Sequence, residues 1–125
     1  MGGGVNGHKE PNPGELVFLG IKSYEKQDFT QARKYFERAC GLNNGRGCNG
    51  LGVLYGSRKG VKQDLIKAAY FYTKACDLKD GWGCSFLGVL YYNGDGVKQD
   101  LKKAAALFKK ACKLGYKKAC EMIKE

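Results

Sequence analysis

Cysteines fall at 40, 48, 76, 84, 112 and 120, so three Cys-x7-Cys pairs follow one another at an interval of 36 residues. The words between them recur as well. Leu51-Gly52-Val53-Leu54-Tyr55 returns as Leu87-Gly88-Val89-Leu90-Tyr91, and Gly60-Val61-Lys62-Gln63-Asp64-Leu65 as Gly96-Val97-Lys98-Gln99-Asp100-Leu101. A period of this length is that of one helix pair, which cannot bury its apolar face alone and must stack on a copy of itself. The chain is therefore expected to be all-α, a stack of about three helix pairs closed by a C-terminal capping helix, seven helices with no strand.

The cysteine spacing has its own reading. In Cys40-Gly41-Leu42-Asn43-Asn44-Gly45-Arg46-Gly47-Cys48 the middle is a Gly- and Asn-rich turn between two helical patterns. Antiparallel helices joined by such a turn bring residues eight apart face to face, within the roughly 4.4–6.8 Å Cα separation a disulfide tolerates. Three bridges are expected, Cys40–Cys48, Cys76–Cys84 and Cys112–Cys120, each adding about 2–3 kcal/mol. They imply an oxidising compartment. A metal site is the weaker alternative, because zinc ligands sit closer in sequence and no histidine lies in the repeats; no metal and no cofactor are expected.

Helix starts mark the units. Asn12-Pro13 reads as an N-cap followed by Pro at the first helical position. Asp28, Asp64 and Asp100 cap the second helices. Their apolar stripes agree: Ala32, Phe36, Ala39 and Cys40 are answered by Ala68, Tyr72, Ala75 and Cys76, then by Ala104, Phe108, Ala111 and Cys112. First helices are expected near 45–56 and 81–92. Inside them a glycine costs about 1 kcal/mol relative to alanine, so Gly20, Gly52 and Gly88 must admit a close partner helix. The organisation is a flexible segment or tag over 1–12, then one array over 13–125, with units at 13–44, 45–80 and 81–115 and a partial cap at 116–125. The first unit is shorter, with a tight turn at Lys26-Gln27.

The net charge of +10 would suit nucleic acid, an anionic surface or an acidic partner. Most lysines, however, fall on the polar faces of helices. The Tyr and Phe residues sit at core positions of the repeat rather than on a stacking platform, which disfavours nucleic acid. No run of 18 apolar residues exists, so no membrane span is expected, and no signal peptide is visible.

Leu-Gly-x-x-Tyr, the Gly-Val-x-x-Asp loop, Lys-Ala-Cys and the Cys-x7-Cys link resemble Sel-one-like (Sel1) repeats, relatives of the tetratricopeptide repeat. With paired cysteines the resemblance is to the Helicobacter cysteine-rich proteins, over about residues 14–125. It implies an α/α right-handed superhelical solenoid with disulfide-linked helices, in a secreted or periplasmic bacterial protein. It also implies that the first helices line a concave groove. Carried onto this chain, the groove positions are Val17, Ile21, Tyr24 and Glu25, then Arg46, Asn49, Val53, Gly56 and Ser57, then Trp82, Ser85, Val89, Tyr92 and Asn93, with Lys118 and Glu121 last. Core positions stay nearly constant between repeats, whereas Arg46 becomes Trp82 and then Lys118, as a surface shaped for one extended ligand would. Trp82 has a second reading as a helix-start residue covering a disulfide.

The same resemblance implies weak penicillin binding and β-lactam hydrolysis. Ser23-Tyr24-Glu25-Lys26 reads Ser-x-x-Lys, but the companion Ser-Asp-Asn and Lys-Thr-Gly motifs are absent. His8, the one histidine, stands outside the repeats, and bridged cysteines are no nucleophiles. Asn93-Gly94-Asp95-Gly96 lacks the acidic ligands of a calcium loop. The expected function is thus a secreted interaction module, a monomer, holding a peptide or other extended ligand from a host or cell-envelope component in its groove. The alternative is a weak β-lactamase or penicillin-binding protein.

Overall fold

The computed structural model describes residues 11–59 and 62–123. The expected flexible start up to residue 10, with His8, and also Gly60, Val61, Lys124 and Glu125, lie outside the described residues. The helices are α1 (Pro13–Glu25), α2 (Phe29–Gly41), α3 (Gly45–Ser57), α4 (Leu65–Asp77), α5 (Gly81–Asn93), α6 (Leu101–Lys113) and α7 (Lys117–Met122). No strand occurs among the described residues.

Local chemistry sets where each helix begins. Asn12, Asp28, Asn44, Asp64 and Asp100 accept hydrogen bonds from the amides of Glu15, Gln31, Gly47, Lys67 and Lys103 at 2.8–3.2 Å. Glu15 also returns its carboxylate to the Asn12 amide, completing a capping box. Asp80, at the matching place before α5, makes no such bond. The long turn inside the second and third units is tied by its repeated Gln-Asp. Gln63 and Gln99 donate to the carbonyls of Gly56 and Tyr92 at 3.0 and 2.8 Å. The amides of Asp64 and Asp100 reach those of Tyr55 and Tyr91 at 3.0 and 2.9 Å. The first unit does without this turn: the Asp28 amide bonds Ser23 O directly at 2.9 Å, and Gln27 takes a left-handed conformation at φ 65°.

Within each pair a second-helix ring lies on a first-helix glycine. A Cβ built on Gly20, Gly52 or Gly88 would fall 2.5, 2.4 or 2.8 Å from the ring of Phe36, Tyr72 or Phe108. The glycines are therefore the close approach expected of them, and the alanines beside the rings are buried. Between pairs the closure is covalent. Cys40–Cys48, Cys76–Cys84 and Cys112–Cys120 are all bonded, with Cα separations of 4.6, 4.5 and 4.7 Å. Each joins the end of a second helix to the start of the next first helix, so the bridges staple one unit to its successor. Consecutive helices pack throughout; in addition α1 touches α3 and α3 touches α5, a closeness the second helices do not share. The stack thus curves with its first helices on the inner side.

Candidate functional site

On that inner side lies a cavity of about 670 Å³. Residues one helical turn apart point into it: Val17, Ile21 and Tyr24 from α1, and Arg46, Asn49, Gly50 and Val53 from α3. α5 contributes Gly81, Trp82 and Phe86, and Phe36 comes from α2. The turns Lys79-Asp80 and Leu114-Gly115-Tyr116 complete the wall.

One end of the cavity is aromatic. The Trp82 and Tyr116 rings stack with centroids 5.0 Å apart, and Phe86 meets Trp82 edge-on at 6.1 Å. Trp82 remains 54% exposed, so its ring is presented rather than buried. The polar content is small and acceptor-rich. Asn49 Oδ1 and Asp80 Oδ2 are buried atoms without a hydrogen-bond partner, an arrangement that costs stability unless something donates to them. Burial pushes the Asp80 carboxyl up from its ordinary value; the amides of Gly83 and Trp82 and the charge of Arg46 pull the other way. Those amides face the carboxylate without forming the side-chain cap. The groups this cavity presents to a solute are the Arg46 guanidinium and the Trp82 ring, so a ligand that offers an acceptor to Arg46 and lays an apolar group on Trp82 would engage both.

Of the groove residues expected from the sequence, Val17, Ile21, Tyr24, Arg46, Asn49, Val53 and Trp82 come together in this cavity, while Val89, Tyr92, Asn93 and Lys118 lie outside its lining. Ser85 is a correction. It is 2% exposed and cannot present its hydroxyl to a solute. More positions of α5 than of α3 are buried, Ser85 among them, whereas Asn49 at the matching place of α3 stays half-buried. Glu25, Gly56, Ser57 and Glu121 are not part of the lining either, and Ser57 donates its hydroxyl to Val53 O. Asp80, Leu114 and Tyr116 were not foreseen. They sit in turns that belong to the end of one unit and reach the cavity only once units stack; the leucine that recurs after each second helix, in Leu42-Asn43-Asn44, Leu78-Lys79-Asp80 and Leu114-Gly115-Tyr116, is the signal that marks them.

Ser23 and Lys26 are not in contact through a hydrogen bond in the structure, and Lys26 is an exposed C-cap of α1. Among the described residues no cluster of three or more His, Cys, Asp or Glu could hold a metal ion, and no helix is long and apolar enough to cross a membrane.

Residues 14–44, 45–80 and 83–116 each match the Sel1 repeat. Over 52 residues the chain is 62% identical to HcpC of Helicobacter pylori strain J99, covering 42% of this chain and 18% of that protein. Over 52 residues it is 56% identical to the beta-lactamase HcpA of the same strain, covering 42% of this chain and 21% of HcpA. The chain thus spans about a fifth of the length of these curated relatives. The solved structure of Helicobacter pylori cysteine-rich protein B is 36% identical, with a TM-score of 0.71, over 96% of this chain and 99% of that one.

Proposed function

This chain belongs to the Sel1 repeat family, in the branch of the Helicobacter cysteine-rich proteins, and from that premise we propose that it is an interaction module holding an extended peptide or similar ligand along its inner face. The observation that carries the reading is the cavity over α1, α3 and α5, where an exposed aromatic anchor and an exposed guanidinium converge on an apolar lining. Such a combination of a ring and a few placed polar groups on a mostly apolar lining is what a specific site uses. The three bridges fit an extracytoplasmic, oxidising location, and secretion or export to the periplasm follows from this reading.

The test is a peptide-display selection on the oxidised protein, followed by titration of the selected peptides against Trp82→Ala and Arg46→Ala. Both side chains are exposed, so both variants keep the fold and lose affinity. Unchanged affinity in both removes the cavity from the account.

A second reading takes its support from the name of HcpA, a beta-lactamase. Incubation with a fluorescent penicillin separates the two. Covalent labelling mapped to Ser23 favours the enzyme; absence of label and turnover favours the binder.

A further inference from the structure

Two of the first helices begin against the turn that ends their own unit. A Cβ on Gly45, the first residue of α3, would fall 3.1 Å from Asp80 Cβ and 3.3 Å from Leu78 Cβ. One on Gly81, the first residue of α5, would fall 3.3 Å from Tyr116 Cβ and 3.4 Å from Leu114 Cβ. The residue after each glycine is thereby set beside that turn. Arg46 stands next to Lys79 and Asp80, close enough for its charge to act on the Asp80 carboxyl, and Trp82 stands on Tyr116. All five line the inner cavity.

These two places, built alike, differ in chemistry. At the start of α5 the lining is aromatic. At the start of α3 it is cationic: Arg46 and Lys79 are exposed, and among the described residues neither enters an ion pair. Asp80 is the one carboxylate of the lining, and its Oδ2 is buried away from a solute. On the other side of α3 the wall turns apolar again, with Ile21 and Tyr24 of α1. Because α3 touches both α1 and α5, the cations lie between two apolar walls. Low-dielectric walls of this kind focus the field of the charges they flank.

On the footing of the function proposed above, we infer that the peptide segment held on the inner face is acidic at its centre and apolar to either side. One Asp or Glu side chain meets Arg46 and Lys79, a bulky apolar residue lies on Trp82 and Tyr116, and a second lies on Ile21 and Tyr24. The guanidinium fork suits a carboxylate, which it can take through two parallel hydrogen bonds. Touching helix axes run about 8–10 Å apart and an extended chain rises about 3.3 Å per residue, so the apolar residues stand about two or three places from the acid. A C-terminal carboxylate suits the site less well, because a chain ending at Arg46 would leave one apolar wall without a ligand. A basic segment is repelled by both cations, which supplies selectivity as well as attraction.

The probe is a displayed library of random peptides of about 10 residues, long enough at about 3.3 Å each to cross three touching helices, selected on the oxidised protein. Enriched sequences are expected to place Asp or Glu near aromatic or branched apolar residues. A representative is then synthesised with a free and with an amidated C-terminus, and the two forms should bind alike. Its affinity should fall about threefold when its acid becomes Gln or Asn and about tenfold on Arg46→Glu. A twin with Lys in place of the acid should prefer Arg46→Glu to the parent. Enrichment of neutral or basic sequences would overturn the inference, as would binding that Trp82→Ala weakens but Arg46→Glu and Lys79→Glu leave unchanged; in both cases the interaction module itself stands. Binding lost on amidation would also overturn it. Selection of no peptide, or of peptides indifferent to Trp82→Ala as well, would remove the module and the inference together. Circular dichroism checks that the variants, altered only at exposed side chains, are folded.

Discussion

The ring of Tyr72 lies so close to the backbone of Gly52 that a Cβ there would fall 2.4 Å from Cε1. Tyr72 is 7% exposed and braced by Phe86 at 5.4 Å, so it cannot step aside. Gly52→Ala, which on an open helix would gain about 1 kcal/mol, is expected instead to lose about 1–3 kcal/mol by overpacking. Gly41→Ala is the control, since nothing lies within 4 Å of the added methyl and the helix gain stands alone. Urea midpoints of the two variants should move in opposite directions, and Tyr72→Leu should recover part of the Gly52→Ala loss.

The terminal bridge should act locally. α7 has 6 residues and no side-chain cap at Tyr116, far below the roughly 12–15 residues an isolated helix needs. It is held by buried Ala119 and by the Cys112–Cys120 bond. In Cys112→Ser/Cys120→Ser the amides of Ala119 to Met122 are expected to lose hydrogen-exchange protection while α1 to α4 keep theirs. Cys40→Ser/Cys48→Ser, which unstaples two whole units, should instead lower global stability by about 2–3 kcal/mol. Equal protection profiles in the two variants would contradict this division.

What the sequence disclosed and what it hid divide along the same line. Features local along the chain were legible: the recurring Leu-Gly and Ala-Cys predict the helix pair, the close approach at the glycine, and the bridge eight residues on to the next unit. Features made by stacking were not. Ser85 stands in register with Asn49, yet α5 is enclosed by its neighbours and Ser85 is 2% exposed. Tyr116 and Leu114 read as turn residues of the third unit, and only superposition of units carries them to Trp82. Periodicity reports what each unit must do alone, and the cavity is a property of the stack.

Asp80 gives a prediction in which pH supplies the check. In the preceding unit the matching residue, Asn44, caps its helix through the Gly47 amide at 2.9 Å, whereas Asp80 caps nothing and leaves Oδ2 buried and unpaired. Burial raises its carboxyl pKa above the ordinary 3.8. A group whose folded pKa is raised favours the fold when protonated: that contribution is complete below the unfolded value and is lost as pH rises through the folded one. At neutral pH the fold therefore carries a buried charge that it would be better without. Asp80→Asn removes the charge and offers the cap that Asn44 makes, so the variant should be more stable at pH 7 by about 1 kcal/mol. Part of that gap is pH-dependent, kept small by solvent screening, and should narrow as pH falls toward the ordinary carboxylate range, because the parent then protonates. Paired urea titrations across that range measure the difference directly and cancel the carboxylates common to both proteins. A gap that widens on acidification would mean that Arg46 and the facing amides, not burial, govern Asp80.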